Sequence, residues 1–478
     1  MKAKILILSL AIVLITACIK NPVITEKVLH YPMKTRSGVK YVDKKTDLSR
    51  IAWWRKLNDP ALNQLIMQAL AANNQIKSAN ASIQQAQAQL KSAQYAWIPT
   101  LDGNAQGFSG ATWNTRVSPQ GALMGTPIFS DLSNFKFRGY SAGFIPGYSV
   151  NIMNNIYNVK SARASLSIQQ AQTQATKLAI ISQTTGAYFM ILSQRAQLEI
   201  EKKLINDLKE LRQLEEVRYK SGANDIERLT NLDQQLAQEE TKIPQIEEVI
   251  AQNENAIHVL LNQNPAPIHT QNQLLAIKTD HIIPQYLPST VLKNRPDIMV
   301  GLSNLQTSNA QLGLAYSAFF PTFSLTGLIG RASVDLTHLL KLNTALWIAQ
   351  AIGSTKILNA SSYQNIKVMK AQYLATYYNY LQTLRAAFAD VDNNLTNASK
   401  TREAYLQTQK GYDAAKKTYA IISDQYKAGS KDYRDVVNAQ ISVDTYALIL
   451  VQEKAQLLDS IVQVYTSVAG GYNVVCNQ

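Results

Sequence analysis

Leu287-Pro288-Ser289, Lys293-Asn294-Arg295-Pro296-Asp297-Ile298 and Ala318-Phe319-Phe320-Pro321-Thr322 lie along one stretch that reads, from Leu287 to Gly330, as a helix running into a strand. Before Pro321 the large apolar residues Val291, Ile298, Leu305 and Leu312 stand seven apart, each followed three later by a smaller one: Asn294, Gly301, Ser308, Ala315. After Pro321 the period becomes two, with Phe323 and Leu325 alternating against Thr322, Ser324 and Thr326. Seven is the period of a coiled-coil seam, and two is that of a sheet with unlike faces. Proline suits the joint because it disfavours helix in the residue before it.

The same joint occurs 222 residues earlier, where Pro99 matches Pro321, Ile76 matches Ile298 and Leu90 matches Leu312. There the large column is Leu62, Ala69, Ile76, Ile83, Leu90 and the small column Leu65, Ala72, Ala79, Ala86, Ala93. Further on, Tyr219-Lys220-Ser221-Gly222 matches Tyr426-Lys427-Ala428-Gly429 at an offset of 207, so the first copy holds 15 extra residues between its joint and its glycine turn. The chain is one duplicated unit with an expected internal symmetry, and this overrides the two or three domains that 478 residues would otherwise suggest.

Working outward, 53–266 form the first repeat and 285–474 the second, with a connector at 267–284 and a short tail at 475–478. Trp53-Trp54-Arg55-Lys56-Leu57-Asn58-Asp59-Pro60 opens the first heptad helix, with Asp59 as N-cap and Pro60 at the first helical position. From Thr100 the chain alternates, with Leu101, Gly103, Ala105 and Gly107 on one face. A second strand sets Tyr140, Ala142, Phe144, Tyr148 and Val150 on one face, and the second copy's strands fall near 321–332 and 343–356. The extra residues belong in the first hairpin's loop. About 9–11 tilted residues cross a bilayer, yet four strands cannot close a barrel, and open edges are not tolerated in lipid. The strands must pair with other subunits.

Each hairpin is followed by a helix near 152–220 or 360–427, on the order of 100 Å long at 1.5 Å per residue. Each turns at a glycine, Gly222 or Gly429, and returns to about 262 or 468. Pro244 should kink or interrupt the first return helix. Small seam residues, with Gln, Asn and Ser elsewhere, suit a wall wetted on both sides rather than a solid core.

Residues 1–17 carry Lys2 and Lys4 before an apolar run from Ile5 to Ile15, the pattern of a secretory leader. The run ends Leu14-Ile15-Thr16-Ala17-Cys18, similar to a bacterial lipoprotein cleavage box whose cysteine is acylated. Acyl chains contribute about 0.8 kcal/mol per buried methylene, so several anchor firmly. In the lipoproteins that this box resembles, an aspartate after the cysteine tends to retain the protein in the inner membrane, so Ile19 at that place implies the outer membrane. Residues 18–52 then form a polar, lipidated tail without a clear period.

The formal charge is +14, or +12 once Lys2 and Lys4 leave with the leader. Its Lys and Arg residues are scattered and form no nucleic-acid module, which argues against nucleic-acid binding. Two cysteines make no disulfide framework. His30, His258, His269, His281 and His338 are isolated, and no catalytic or metal-ligating pattern occurs. No enzyme, metal or cofactor is expected. His258, between Ile257 and Val259, reads as a packed or wetted helix residue.

These features resemble the TolC-like outer-membrane factors, in their lipoprotein branch serving tripartite efflux systems. The resemblance spans about 53–474. It rests on Trp53-Trp54 to Pro60, Leu287-Pro288-Ser289, Arg295-Pro296-Asp297-Ile298, Phe319-Phe320-Pro321, Tyr426-Lys427-Ala428-Gly429, Asn438-Ala439-Gln440 and Ala469-Gly470-Gly471-Tyr472. It implies a mainly α chain with a small β part. As a homotrimer it would form a 12-strand β-barrel continued by a 12-helix α-barrel, fed by an inner-membrane pump through a periplasmic adaptor. This chain departs from the family pattern at Asn151, Asn359 and Asn438, where aspartates are usual.

The turns Ser221-Gly222 and Ala428-Gly429 lie farthest from the strands, so they are expected at the periplasmic tip as adaptor contacts. Asp435, six residues after Gly429 where the family places an acidic gate, is expected to line the throat with Asn438. Arg228 is six after Gly222, at a similar height, and is one group able to offset a ring of three Asp435 carboxylates. At about 6 Å apart these would repel by roughly 3 kcal/mol per pair at an effective dielectric near 20. The function expected is a passive exit duct for small molecules, drugs or metal ions. The alternatives are a non-conducting coiled-coil lipoprotein, a duct for protein secretion and, remotely, a secreted enzyme.

Overall fold

A computed structural model describes residues 35–36, 38–42, 48–111, 136–223, 225–270, 272–280, 282–283, 286–288, 291–339, 341 and 345–474. The elements in order are β1 (Lys40–Val42), α1 (Pro60–Ala72), α2 (Asn74–Tyr95), β2 (Thr100–Ala111), β3 (Lys136–Val150), α3 (Ile152–Lys220) and α4 (Ile226–Leu260). The second half adds β4 (Tyr286–Pro288), α5 (Pro296–Ser317), β5 (Thr322–Ser333), β6 (Ala345–Ser354), α6 (Ala360–Lys427) and α7 (Tyr433–Ser467). The duplication is visible in the element edges. Tyr95 and Ser317 close equivalent helices 222 residues apart, and Lys220 and Lys427 close the long ones 207 apart.

The described residues form two compact units, and each repeat contributes to both. One takes the residues up to Gln85, Ser167–Asn304 and those from Thr376; the other takes Ala86–Leu166 and Leu305–Ala375.

In the first unit Asp59 caps α1 as expected, its Oδ1 accepting from Leu62 N at 3.0 Å. Its Oδ2 accepts from the buried Tyr188 hydroxyl at 2.8 Å. Trp53, Trp54, Tyr188 and Tyr465 are all but fully buried, and Trp53 stacks flat on Tyr465 with ring centroids 4.7 Å apart. The first heptad helix is not continuous. Asn73 takes extended backbone (ψ 130°) between α1 and α2, and its side chain accepts from Gln75 N while donating to Leu260 O at 2.9 Å.

The expectation of helix from Leu287 is likewise corrected. Leu287 lies in β4, paired in parallel with Tyr41 of β1, and α5 starts only at Pro296. Pro296 disfavours helix at Arg295 but is itself suited to the first helical position. Arg295 is 222 residues after Asn73, so both copies break at the same place. The Arg295 guanidinium grips Asp297 through two hydrogen bonds and Asp390 at 2.8 Å, and also donates to the Ser467 carbonyl. The polar tail is thus pinned at 40–42 rather than merely extended. Nor does Pro244 interrupt α4, which is one helix from Ile226 to Leu260.

In the second unit the four strands form one antiparallel sheet in the order β2-β3-β5-β6, leaving β2 and β6 as edges. The register puts Leu101, Phe144, Tyr148, Phe323, Leu325, Ile329 and Trp347 on one face. Thr100, Asp102, Asn104, Gln106, Ser141, Ser149, Thr322, Ser324, Thr326 and Gln350 lie on the other. Trp347 is 76% exposed and Leu101 67%. One face therefore presents large apolar side chains outward and the other is wettable.

Asn151 and Asn359 cap the two long helices, their Oδ1 atoms accepting from Asn154 N at 3.0 Å and Ser362 N at 2.9 Å. The Asn151 amide also donates to the carbonyls of Ser317 (3.1 Å) and Phe320 (3.2 Å). An aspartate would keep the cap but lose these donors and set a carboxylate against two carbonyls. Asparagine is the residue that fits here.

Candidate functional site

The two long hairpins turn by the same mechanism. Gly222 (φ +76°) and Gly429 (φ +77°) occupy the left-handed region that suits glycine. Gly222 N donates to Tyr219 O at 3.0 Å and Ala223 N to Arg218 O at 2.9 Å. Gly429 N donates to Tyr426 O and Ser430 N to Gln425 O, both at 2.9 Å. Ser221, Gly222, Ala428 and Gly429 are exposed. The next helices begin alike, at Asp225 and Asp432, again 207 apart.

Asp435 stands in the first turn of α7, half-buried, with Lys431 Nζ 3.9 Å from its carboxylate; Asn438, one turn on, is exposed. Within the protomer Arg228 pairs not with Asp435 but with Glu215 near the end of α3, at 3.3 Å. Glu215 is 1% exposed and also lies 3.6 Å from Arg434 Nη1 and 3.9 Å from Arg218 Nε. Arg218 in turn reaches Asp432 at 3.0 Å. One buried carboxylate thus joins the end of α3 to the starts of α4 and α7. The Tyr433 hydroxyl donates to Glu210 at 2.7 Å, which pushes its pKa up to about 12.

About four helical turns from the glycine turns, Asp444 of α7 is buried and accepts from Lys203 Nζ at 2.7 Å and Gln440 Nε2 at 3.1 Å. Its second oxygen, and Oδ2 of Asp207 on α3, are buried without a donor. Asp207, when protonated, would supply one. Burial, then the hydrogen bond and charge of Asp444, raise Asp207 to about 7, with Glu210 adding to the rise and Lys203 opposing it. The folded chain then holds a proton to about pH 7 that the unfolded chain releases near pH 4. The contribution of this group is full below about pH 4, falls as pH rises toward 7, and is gone above. A rise of that size would bound the effect at about 4 kcal/mol, and solvent access to Asp207 reduces it to on the order of 1–2 kcal/mol. The thermal midpoint is expected to be lower at pH 8 than at pH 5, and Asp207→Asn to shrink that difference. An equal difference in variant and wild type would refute the proton on Asp207.

Sequence reasoning missed Glu215, Asp207 and Asp444. A signal was present: their repeat-equivalents are Ile422, Ala414 and Ala237, so a charge in one copy faces an apolar residue in the other. Cys18 and Cys476 lie outside the described residues. No group of three or more metal-ligating side chains occurs among the described residues, nor any helix long and apolar enough to cross a membrane.

The model of the outer membrane efflux protein family matches residues 65–263 and 287–470, most of both repeats. The chain belongs to that family. It is accordingly an efflux-channel protein and not an enzyme. It is 26% identical over 426 residues to the solvent efflux pump outer membrane protein SrpC of Pseudomonas putida, covering 88% of this chain and 87% of that one. It is 25% identical to the cation efflux system protein CusC of Escherichia coli K12, covering 88% and 89%. Among solved structures, the CmeC outer membrane channel of Campylobacter jejuni aligns with a TM-score of 0.79 at 24% identity, over 94% of each chain. The outer-membrane channel OprN aligns at 0.78 and 21% identity, over 93% of this chain and 99% of that one. The mainly helical chain with its small sheet thus has the fold of these channels.

Proposed function

We propose that this chain is the lipid-anchored exit duct of a tripartite efflux system in the outer membrane of a Gram-negative bacterium. The observation that carries the reading is the four-stranded sheet, with an apolar face, a wettable face and both edges open. Three copies satisfy those edges by pairing β2 of one with β6 of the next, so that every strand finds partners in lipid. The long helices continue the conduit through the periplasm. Cys18 carries the acyl anchor in outer-membrane lipid. Ser221-Gly222 and Ala428-Gly429 meet the periplasmic adaptor, behind which an inner-membrane pump supplies cargo. Asp435 and Asn438 line the throat, with Arg228 held back on Glu215 within its own protomer. Relatives named for solvent and for cation efflux point to small molecules as the cargo class.

The purified full-length protein in a planar bilayer is expected to pass stable unitary currents in simple salt. A membrane-bound, folded trimer that passes none would leave a structural lipoprotein as the function.

A further inference from the structure

The wettable sheet face is not uniformly polar. Asp102 lies opposite Ile145, and Leu328 opposite Ile348. The unbroken register on either side, Phe144 opposite Ile329 and Gly147 opposite Thr326, sets Ile145 opposite Leu328. One row across all four strands therefore reads Asp102, Ile145, Leu328, Ile348. On one side the next row is Thr100, Gly147, Thr326, Gln350; on the other it is Asn104, Gly143, Gly330, Leu346. Ile348 is 52% exposed although it lies on the face that is otherwise mostly hydroxyls, amides and glycine.

The floor beside the row is bare backbone. A Cβ at Gly143 would stand 2.6 Å from Ile329 O, and one at Gly330 would stand 2.4 Å from Ala142 O, so neither position takes a side chain without moving a strand. The row is thus an apolar ridge beside a glycine step. Its one carboxylate has no counter-charge on this face. Among the described residues the face carries no Lys or Arg, since Arg138 and Arg331 fall on the opposite face.

We infer that this row is a binding collar for amphipathic organic cations in transit, with Ile145, Leu328 and Ile348 taking the apolar body and Asp102 the charge. The inference rests on the duct reading, in which this face lines the lumen and three copies of the row form a ring. Apolar contact alone would retain any lipophile, and Asp102 alone any cation. The juxtaposition selects molecules that are both. Asp102 and Ile348 are exposed to water and Ile145 and Leu328 half-buried, so retention is brief, as a conduit requires.

Single-channel recording on the full-length trimer tests this with tetraphenylphosphonium, tetramethylammonium and tetraphenylborate as probes. Tetraphenylphosphonium is expected to cause resolvable blockades, and the other two to cause none. Asp102→Asn should weaken block about tenfold, the factor for losing one charge-assisted contact of ordinary strength. Ile348→Thr should shorten blockades several-fold, with unitary conductance in clean salt unchanged as the control for folding. Blockades of equal depth and duration in wild type and both variants, or equal block by tetraphenylborate, would overturn the collar while leaving the duct intact. A trimer with no conductance would instead remove the duct reading itself.

Discussion

Gly471→Val is expected to destabilise the chain by on the order of 2–5 kcal/mol and to deplete folded protein from the membrane. Gly471 has φ +90°, where a β-branched residue is strained by roughly 1–2 kcal/mol. A Cβ there would stand 2.5 Å from Cζ3 of Trp54 and 3.3 Å from Ile51 O. Trp54 is fully buried and cannot swing aside, so overpacking adds about 1–3 kcal/mol. The segment is also tied by its backbone, with Gly471 N donating to Leu48 O and Asn473 N to Ser49 O. Displacing it strips cover from Trp53 and Trp54, which open the first repeat. Urea unfolding of purified Gly471→Val against wild type measures the loss. Stability within about 0.5 kcal/mol of wild type would mean the glycine is not needed for this contact.

How much of this was legible in sequence follows from the range of each interaction. The seven-residue columns placed Ile298, Leu305 and Leu312 correctly in buried positions, because a helical period is a local property. The glycine turns were legible because a left-handed residue must follow a long helix that doubles back. The pairing of Tyr41 with Leu287 was not, since a three-residue parallel ladder between distant segments leaves no local pattern. The breaks at Asn73 and before Pro296 were hidden for another reason. The apolar columns run through them, while the backbone departs from helix at a single residue. Pro244 lies inside α4 without interrupting it, with the buried Leu236 and Ile246 packed on either side of the lost hydrogen bond. The ionic ties from α3 to α7 depended on partners more than two hundred residues apart, as in Glu215 with Arg434. Their only trace in the sequence was the mismatch between the repeats, which went unread.

Removal of the Glu215 carboxylate is expected to loosen the two hairpins from each other and to leave the channel leaky. Three arginines converge on this one acid, and the acid is the buried member of each pair, at 1% exposure against 38%, 51% and 24% for Arg218, Arg228 and Arg434. In Glu215→Ala these three cations lose the acid they share. Removing one member of a buried pair costs about 3–5 kcal/mol, and the arginines' access to water brings the expectation to about 2–3 kcal/mol. Asp432 retains Arg218, so one tie between α3 and the start of α7 survives. The ties lost are that of Arg228, at the start of α4 in the same hairpin, and that of Arg434, at the start of α7 in the other. Glu215→Gln keeps the volume and the hydrogen-bonding oxygen, and should fall between the alanine variant and wild type. If the turns close the conduit at rest, both variants raise the open fraction in planar bilayers, alanine more than glutamine, and admit bulky antibiotics that wild type excludes. Open fractions equal to wild type, in a variant that still unfolds at lower urea, would make Glu215 a structural anchor with no part in closure.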